Sequence, residues 1–420
     1  MLLHKLVQFK NQILNLGIYF FAALIPMCLS LISNPFIAKN MSPEDYAITG
    51  YYSGFTSLFG PLVSFYLLHY YTKRYYELDE KGRTILRATL FKALIYFSLF
   101  LAFIAIAALF IYTTFFNSES EIPFLPYAFM SFLSLPLTGI YMLDLADYRM
   151  SRQSRNFFAL SVFNGITRVV LSLLFVVVLK LGAFGSMSGT LVSNFIIFAF
   201  VFFKNKDLIK INFDYSVFKK AVVFCWPLVI ASMLTFFSTG YDKVFLERLG
   251  DLTALGIYSV GVSIAAYMNV FGSAINDTFQ PDIFQNVVQR KYRTCLKYIA
   301  IKLMIMTACV AVFCLFAPYI ISILTFGRYE SSTIFAVIVS LSSITSMLYY
   351  SMSQVTVALG YTSITLVNKI IGSIISIISF NLLINYFGAI GAAWGVVLSY
   401  FYFFLGNVVL VLIKKKNKKQ

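Results

Sequence analysis

Twelve apolar runs, most of about twenty residues or more, fill the chain from end to end, at approximately 12–38, 47–71, 89–113, 124–146, 159–180, 183–203, 221–241, 254–278, 296–318, 332–356, 366–385 and 389–413. A run of this length crosses the hydrocarbon core of a bilayer as a helix, since about 20 residues at 1.5 Å each cover about 30 Å. A helix also satisfies its own backbone where no water is present. Composition agrees: 60% of residues are apolar and 12% charged, against roughly 25% charged in soluble domains. This excludes a cytosolic enzyme, a secreted disulfide scaffold and a disordered chain. Met1–Lys10 resembles the start of a signal peptide, but the apolar run behind it is too long and lacks a cleavage site, so it is read as the first span. The connections are short, the longest at about 72–88, 204–220 and 279–295.

The net charge of +16 would point to nucleic acid in a soluble protein. Here it reads as orientation. With the N-terminus in the cytoplasm, 24 of the 33 lysines and arginines fall on the cytoplasmic side, five on the other, and four inside spans. Basic residues gather in cytoplasmic loops, so both termini are expected there, ending in the basic tail Lys414–Lys419. No nucleic-acid partner is expected. The five cysteines form no CxxC and read as small buried hydrophobes, with no metal site.

The chain repeats. Gly182-Ala183-Phe184-Gly185 leads through Gly189 to Ser193, and Gly388-Ala389-Ile390-Gly391 leads through Gly395 to Ser399, at an offset of 206. A weaker match, Ala47-Ile48 with Gly256-Ile257, has an offset of 209. Small residues four apart let helices approach closely; recurrence at half the chain length adds an internal duplication. The expected fold is all-α and polytopic, with about twelve transmembrane helices in two parallel six-helix repeats. The expected halves are 1–210 and 211–420. Parallel repeats around a shared site suit alternating access.

Trp226-Pro227-Leu228, Tyr241-Asp242-Lys243 and Leu255-Gly256-Ile257-Tyr258-Ser259 resemble the centre of the polysaccharide flippases of the multidrug/oligosaccharidyl-lipid/polysaccharide (MOP) superfamily, the Wzx-type O-antigen flippases above all. Met41-Ser42-Pro43-Glu44-Asp45-Tyr46 resembles their first outside loop, with Ala47 where a glycine usually stands. The resemblance implies two six-helix bundles in a V-shaped transporter. It implies translocation of an undecaprenyl-diphosphate-linked oligosaccharide across the bacterial inner membrane, coupled to an ion gradient, by a monomer working beside a polysaccharide polymerase and its chain-length machinery.

Ionisable residues inside spans are costly and mark candidate sites. Arg168 lies mid-span, too deep to reach water easily, and its guanidinium suits a lipid diphosphate; a helix–helix ion pair is the alternative. Lys369, Lys302 and Lys92 are further substrate-binding candidates, or residues that snorkel to the interface. Asp242, Lys243, Asp277, Asp144 and Asp147 are gate or coupling candidates. Asp144 and Asp147 share a face near Arg149, where an ordinary ion pair is the simpler reading. Pro26, Pro61, Pro136 and Pro227 lie within spans and are expected to kink them. No Ser/His/Asp set, HExxH, P-loop or metal cluster stands out, so neither catalysis nor a cofactor is expected. A multidrug and toxin exporter is the competing reading, weakened by the absence of charge in Asn11–Ala38 and by the cationic lean of the buried charges.

Overall fold

The computed structural model describes the backbone of residues 2–417. The side chains of residues 1–17, 19, 20, 23, 362, 363 and 415–420 lie outside the described residues, and with them the readings made on Met1–Lys10 and on the tail beyond Lys414. The helices run in the order α1 (Leu2–Asn40), α2 (Pro43–Ser64), α3 (Leu67–Arg74), α4 (Glu80–Phe115), α5 (Tyr127–Met150), α6 (Ser154–Ser172), α7 (Gly182–Lys204), α8 (Tyr215–Met233), α9 (Phe236–Thr239), α10 (Tyr241–Glu247), α11 (Leu252–Ala265), α12 (Met268–Val288), α13 (Tyr292–Thr325), α14 (Thr333–Ala358) and α15 (Thr362–Asn417). A wider π turn over Leu173–Val178 prolongs α6. Among the described residues nine stretches are helical, long and apolar enough to cross a membrane. They take in the ten expected spans from 89–113 onward, because the last stretch folds back on itself. The spans expected at 12–38 and 47–71 fall in α1 and in α2 with α3; Phe65 and Tyr66, both at positive φ, break the second.

Helix starts and corners repeat as the sequence does. Ser42 accepts from Asp45 N–H while Asp45 accepts from Ser42 N–H, a reciprocal cap, with Pro43 opening the helix. Asp251 caps α11 by accepting from Ala254 N–H, at the same offset of 209 from Ser42 that the sequence match shows. The two glycine corners also agree: Gly182 has φ +54 and Gly388 φ +55, a region in which a Cβ is strained. At Gly388 the long α15 reverses. Asn368 donates to Phe403 O at 2.8 Å, and a Cβ on Gly391 would sit 1.9 Å from Leu383 O, so the two arms lie side by side. Gly185 does the same work in the first half, where a Cβ would come within 2.7 Å of Phe175 O.

The chain forms two compact units. Unit 1 comprises residues 1–41 and 59–230. In it α6 lies on α1, so closely that a Cβ on Gly165 would be 2.8 Å from Pro26 Cβ. A core of Leu67, Tyr71, Phe91, Leu143 and Cys225 joins α3, α4, α5 and α8. Unit 2 comprises residues 42–58 and 231–420. Its first segment, the opening turns of α2, packs on α10 and α11: a Cβ on Gly256 would meet Pro43 O at 1.8 Å, one on Gly50 would meet Ser259 Oγ at 2.2 Å, and one on Gly54 would meet Gly240 O at 2.9 Å. Tyr46 closes edge-on against Tyr329, 5.3 Å between ring centres. Cys225 and Cys295 are buried as expected, whereas Cys28 is exposed on α1, whose apolar surface is not all turned inward.

Candidate functional site

In unit 1, Arg168 is solvent-accessible and makes no hydrogen bond or ion pair among the described residues. At 100° per residue it lies nearly opposite Phe163, Ile166 and Val170, the exposed apolar stripe of α6, and shares its face with the buried Ser161 and Gly165. Its side chain therefore leaves the helix away from the apolar outer stripe, on the side where Gly165 packs against Pro26 of α1. The other three intramembrane cations hold partners. Lys92 donates to Ile211 O at 2.6 Å. Lys369 donates to Ala231 O at 2.8 Å and to Thr235 Oγ1 at 2.6 Å, while Ser373 donates to Leu234 O. These side chains serve carbonyls released where α8 ends, a position that favours a cation.

The acids divide likewise. Asp144 is fully buried and pairs with Arg87 at 2.7 Å; Asp147 pairs with the same guanidinium at 2.9 Å and accepts from Tyr71 at 2.5 Å. Asn205 donates to Asp144 at 2.9 Å. The expected ion pair is there, with Arg87 of α4 in place of Arg149, whose guanidinium lies over the Phe157 ring. Sequence spacing put the two carboxylates on one face but carried no signal for a partner 57 residues away. In unit 2, Asp242 is buried and accepts a short hydrogen bond from Tyr258 OH, and its Oδ1 has no partner among the described residues. Lys243 is buried beside it and donates to Ser53 Oγ at 3.1 Å.

A polar cavity of about 380 Å³ opens in unit 2 between α12, α14 and α15. Asn276 and Asp277 of α12, Ser343, Ser346 and Tyr350 of α14 and Tyr400 of α15 line it. Behind its wall Lys302 of α13 is fully buried, donating to Asn276 Oδ1 at 2.8 Å and to Gln354 Oε1 at 3.4 Å. Gln354 Nε2 donates in turn to Asn276 Oδ1 at 3.2 Å. Lys302 thus stands one layer behind the surface where it was expected, and Asp277 stands exposed in that surface. Sequence reasoning missed Asn276 and the two tyrosines as wall residues. Polar side chains at 269, 273, 276 and 277 form one face of α12, a helical pattern that could have shown it.

The sequence model of a family described as "Polysaccharide biosynthesis protein" matches residues 36–332, more than half of the chain. No curated protein matches. Among solved structures, the chain is similar to an inward-facing multidrug resistance MATE family transporter of the MOP superfamily, with TM-score 0.67 and 16% identity over 94% of this chain and 99% of that one. It is similar to the lipid II flippase MurJ, with TM-score 0.67 and 14% identity over 95% and 87%. It also resembles a MOP superfamily transporter from Pyrococcus furiosus, with TM-score 0.57 and 14% identity over 95% and 94%. At such identities the likeness concerns the fold. The resemblance drawn from the sequence is borne out at that level: this multi-pass membrane protein has the fold of MOP-superfamily transporters and belongs to the polysaccharide biosynthesis protein family.

Proposed function

We propose that the chain is a flippase that moves an undecaprenyl-diphosphate-linked oligosaccharide, such as an O-antigen repeat unit, from the cytoplasmic to the periplasmic leaflet of a bacterial inner membrane by ion-coupled alternating access. The family match supports polysaccharide biosynthesis as the setting, and the transporter fold supports translocation. The observation that carries the reading is Arg168. A guanidinium on the inner face of an apolar helix, with no partner among the described residues, is costly unless a ligand or water meets it. A diphosphate answers it with several acceptor oxygens at once. Asp242, with a buried oxygen that has no partner among the described residues, is the coupling candidate that the same reasoning favours.

The test is a deletion strain complemented with variants. Surface glycan and the lipid-linked intermediates left in the membrane are measured, along with the leaflet in which their sugars lie. The deletion should strand unpolymerised repeat units on the cytoplasmic leaflet. Arg168→Ala should fail to restore export and Arg168→Lys should restore part of it. Full export by Arg168→Ala would defeat the role of Arg168. The second reading, a small-molecule exporter, draws on the MATE-like fold. It predicts unchanged surface glycan and heightened sensitivity to cationic dyes.

A further inference from the structure

The polar cavity of unit 2 presents a hydrogen-bonding pattern that one lysine fixes. A lysine ammonium only donates, so the atoms turned towards Lys302 are oxygens, Asn276 Oδ1 and Gln354 Oε1. Gln354 Nε2 takes up Asn276 Oδ1 a second time. Both amides are thereby held in one orientation, and the Asn276 NH2 group has no partner among the described residues at the wall it lines. The next residue, Asp277, offers a carboxylate to the same cavity. A pair of N–H donors therefore stands beside a pair of strong acceptors. The Tyr350 and Tyr400 rings, 6.4 Å apart between centres, line the cavity too. No lysine or arginine lines this cavity among the described residues.

That set selects its ligand. A hard cation requires several oxygen ligands; with the Asn276 oxygen turned to the lysine, Asp277 is the one carboxylate among the described lining residues, and the other oxygens there are neutral amide and hydroxyl groups. A diphosphate would meet Asp277 with like charge and find no cation at the surface. A neutral polyhydroxylated ring fits: its hydroxyls both donate and accept, and its C–H face packs on an aromatic ring. The volume lies in the range of small-ligand pockets. We infer that the cavity between α12, α14 and α15 binds a neutral sugar residue of the transported glycan through Asn276 and Asp277, with Lys302 as the positioning residue that sets their polarity. The inference rests on the flippase reading and gives it a specificity site separate from Arg168.

The experiment uses the full chain in lipid nanodiscs. Free glucose, galactose, mannose and N-acetylglucosamine are titrated, and binding is read by saturation-transfer NMR. At least one sugar should bind saturably. Asn276→Asp keeps an oxygen towards Lys302, loses the N–H donors and adds a negative charge beside Asp277; it should weaken that binding at least tenfold, as should Asp277→Asn, with both variants remaining monodisperse. Lys302→Arg, still donor-only, should keep the ranking of the four sugars, and Lys302→Met should flatten it. Three results would overturn the inference: no sugar of the panel binds, the Asn276→Asp and Asp277→Asn variants bind as wild type does, or the cavity takes up sodium in a manner abolished by Asp277→Asn. The flippase reading fails separately, on unchanged surface glycan in the deletion strain.

Discussion

A charge inside an apolar span needs a partner, a path to water or a ligand. Lys92 and Lys369 take backbone carbonyls, Lys302 takes two amides, and Arg168 has no partner among the described residues. The difference separates holding the fold from meeting a substrate. Lys369→Met should leave Ala231 O and Thr235 Oγ1 without their donor, lower stability by about 1–2 kcal/mol in thermal unfolding of the solubilised protein, and leave glycan export standing. The Asp144–Arg87 pair makes a stronger demand. Asp144→Ala leaves a largely buried guanidinium with one carboxylate where it had two, and should cost about 3 kcal/mol by the same measurement. Arg87→Met with Asp144→Leu and Asp147→Asn should recover part of that loss, because no charge of the cluster then stays buried unpaired. That these nine residues are polar groups in or beside apolar runs was legible in the sequence. Partner identity was not, because Arg87 with Asp144 and Lys369 with Ala231 are joined across 57 and 138 residues.

At the scale of elements the sequence was most informative where backbone geometry demands a residue type. The Ser42-Pro43-Glu44-Asp45 run, noticed as a family motif, is a helix cap, and its counterpart at Asp251 caps the corresponding helix. The glycine motifs, noticed as a repeat, are corners followed by close contacts. Gly388 tests the first part alone, since a Cβ there meets nothing within 4 Å. Gly388→Ala should cost about 1–3 kcal/mol through its φ of +55 and ψ of −133. Gly391→Ala should cost more, because its Cβ would strike the Leu383 carbonyl, and loss of monodispersity in size-exclusion chromatography would report it. The break at Phe65 and Tyr66 was not legible: two aromatic residues at positive φ carry no glycine signal, and the apolar pattern runs on through them.

For the whole molecule, the repeat appears as direct contact. Thr253 donates to Glu44 at 3.2 Å, 209 residues apart. The site of a Cβ on Gly50 falls on Ser259, at the same offset. This contact belongs to unit 2, although residues 42–58 lie between the two segments of unit 1, 1–41 and 59–230, in the chain. A fragment comprising 231–420 alone should therefore accumulate poorly in membranes, and co-expression of 1–58 should raise its level, as read by immunoblot of the membrane fraction. The interleaving also sets an order of events during synthesis. Residues 42–58 leave the ribosome, and then the whole stretch 59–230 must be made before their partners appear, a wait of roughly 10–30 s at about 5–20 residues per second. For that interval Pro43, Gly50 and Gly54 wait for Gly256, Ser259 and Gly240, against which they close in the finished protein. A substitution at any of the three thus acts twice: first on a waiting segment, then on helices that had not yet been made when it entered the membrane.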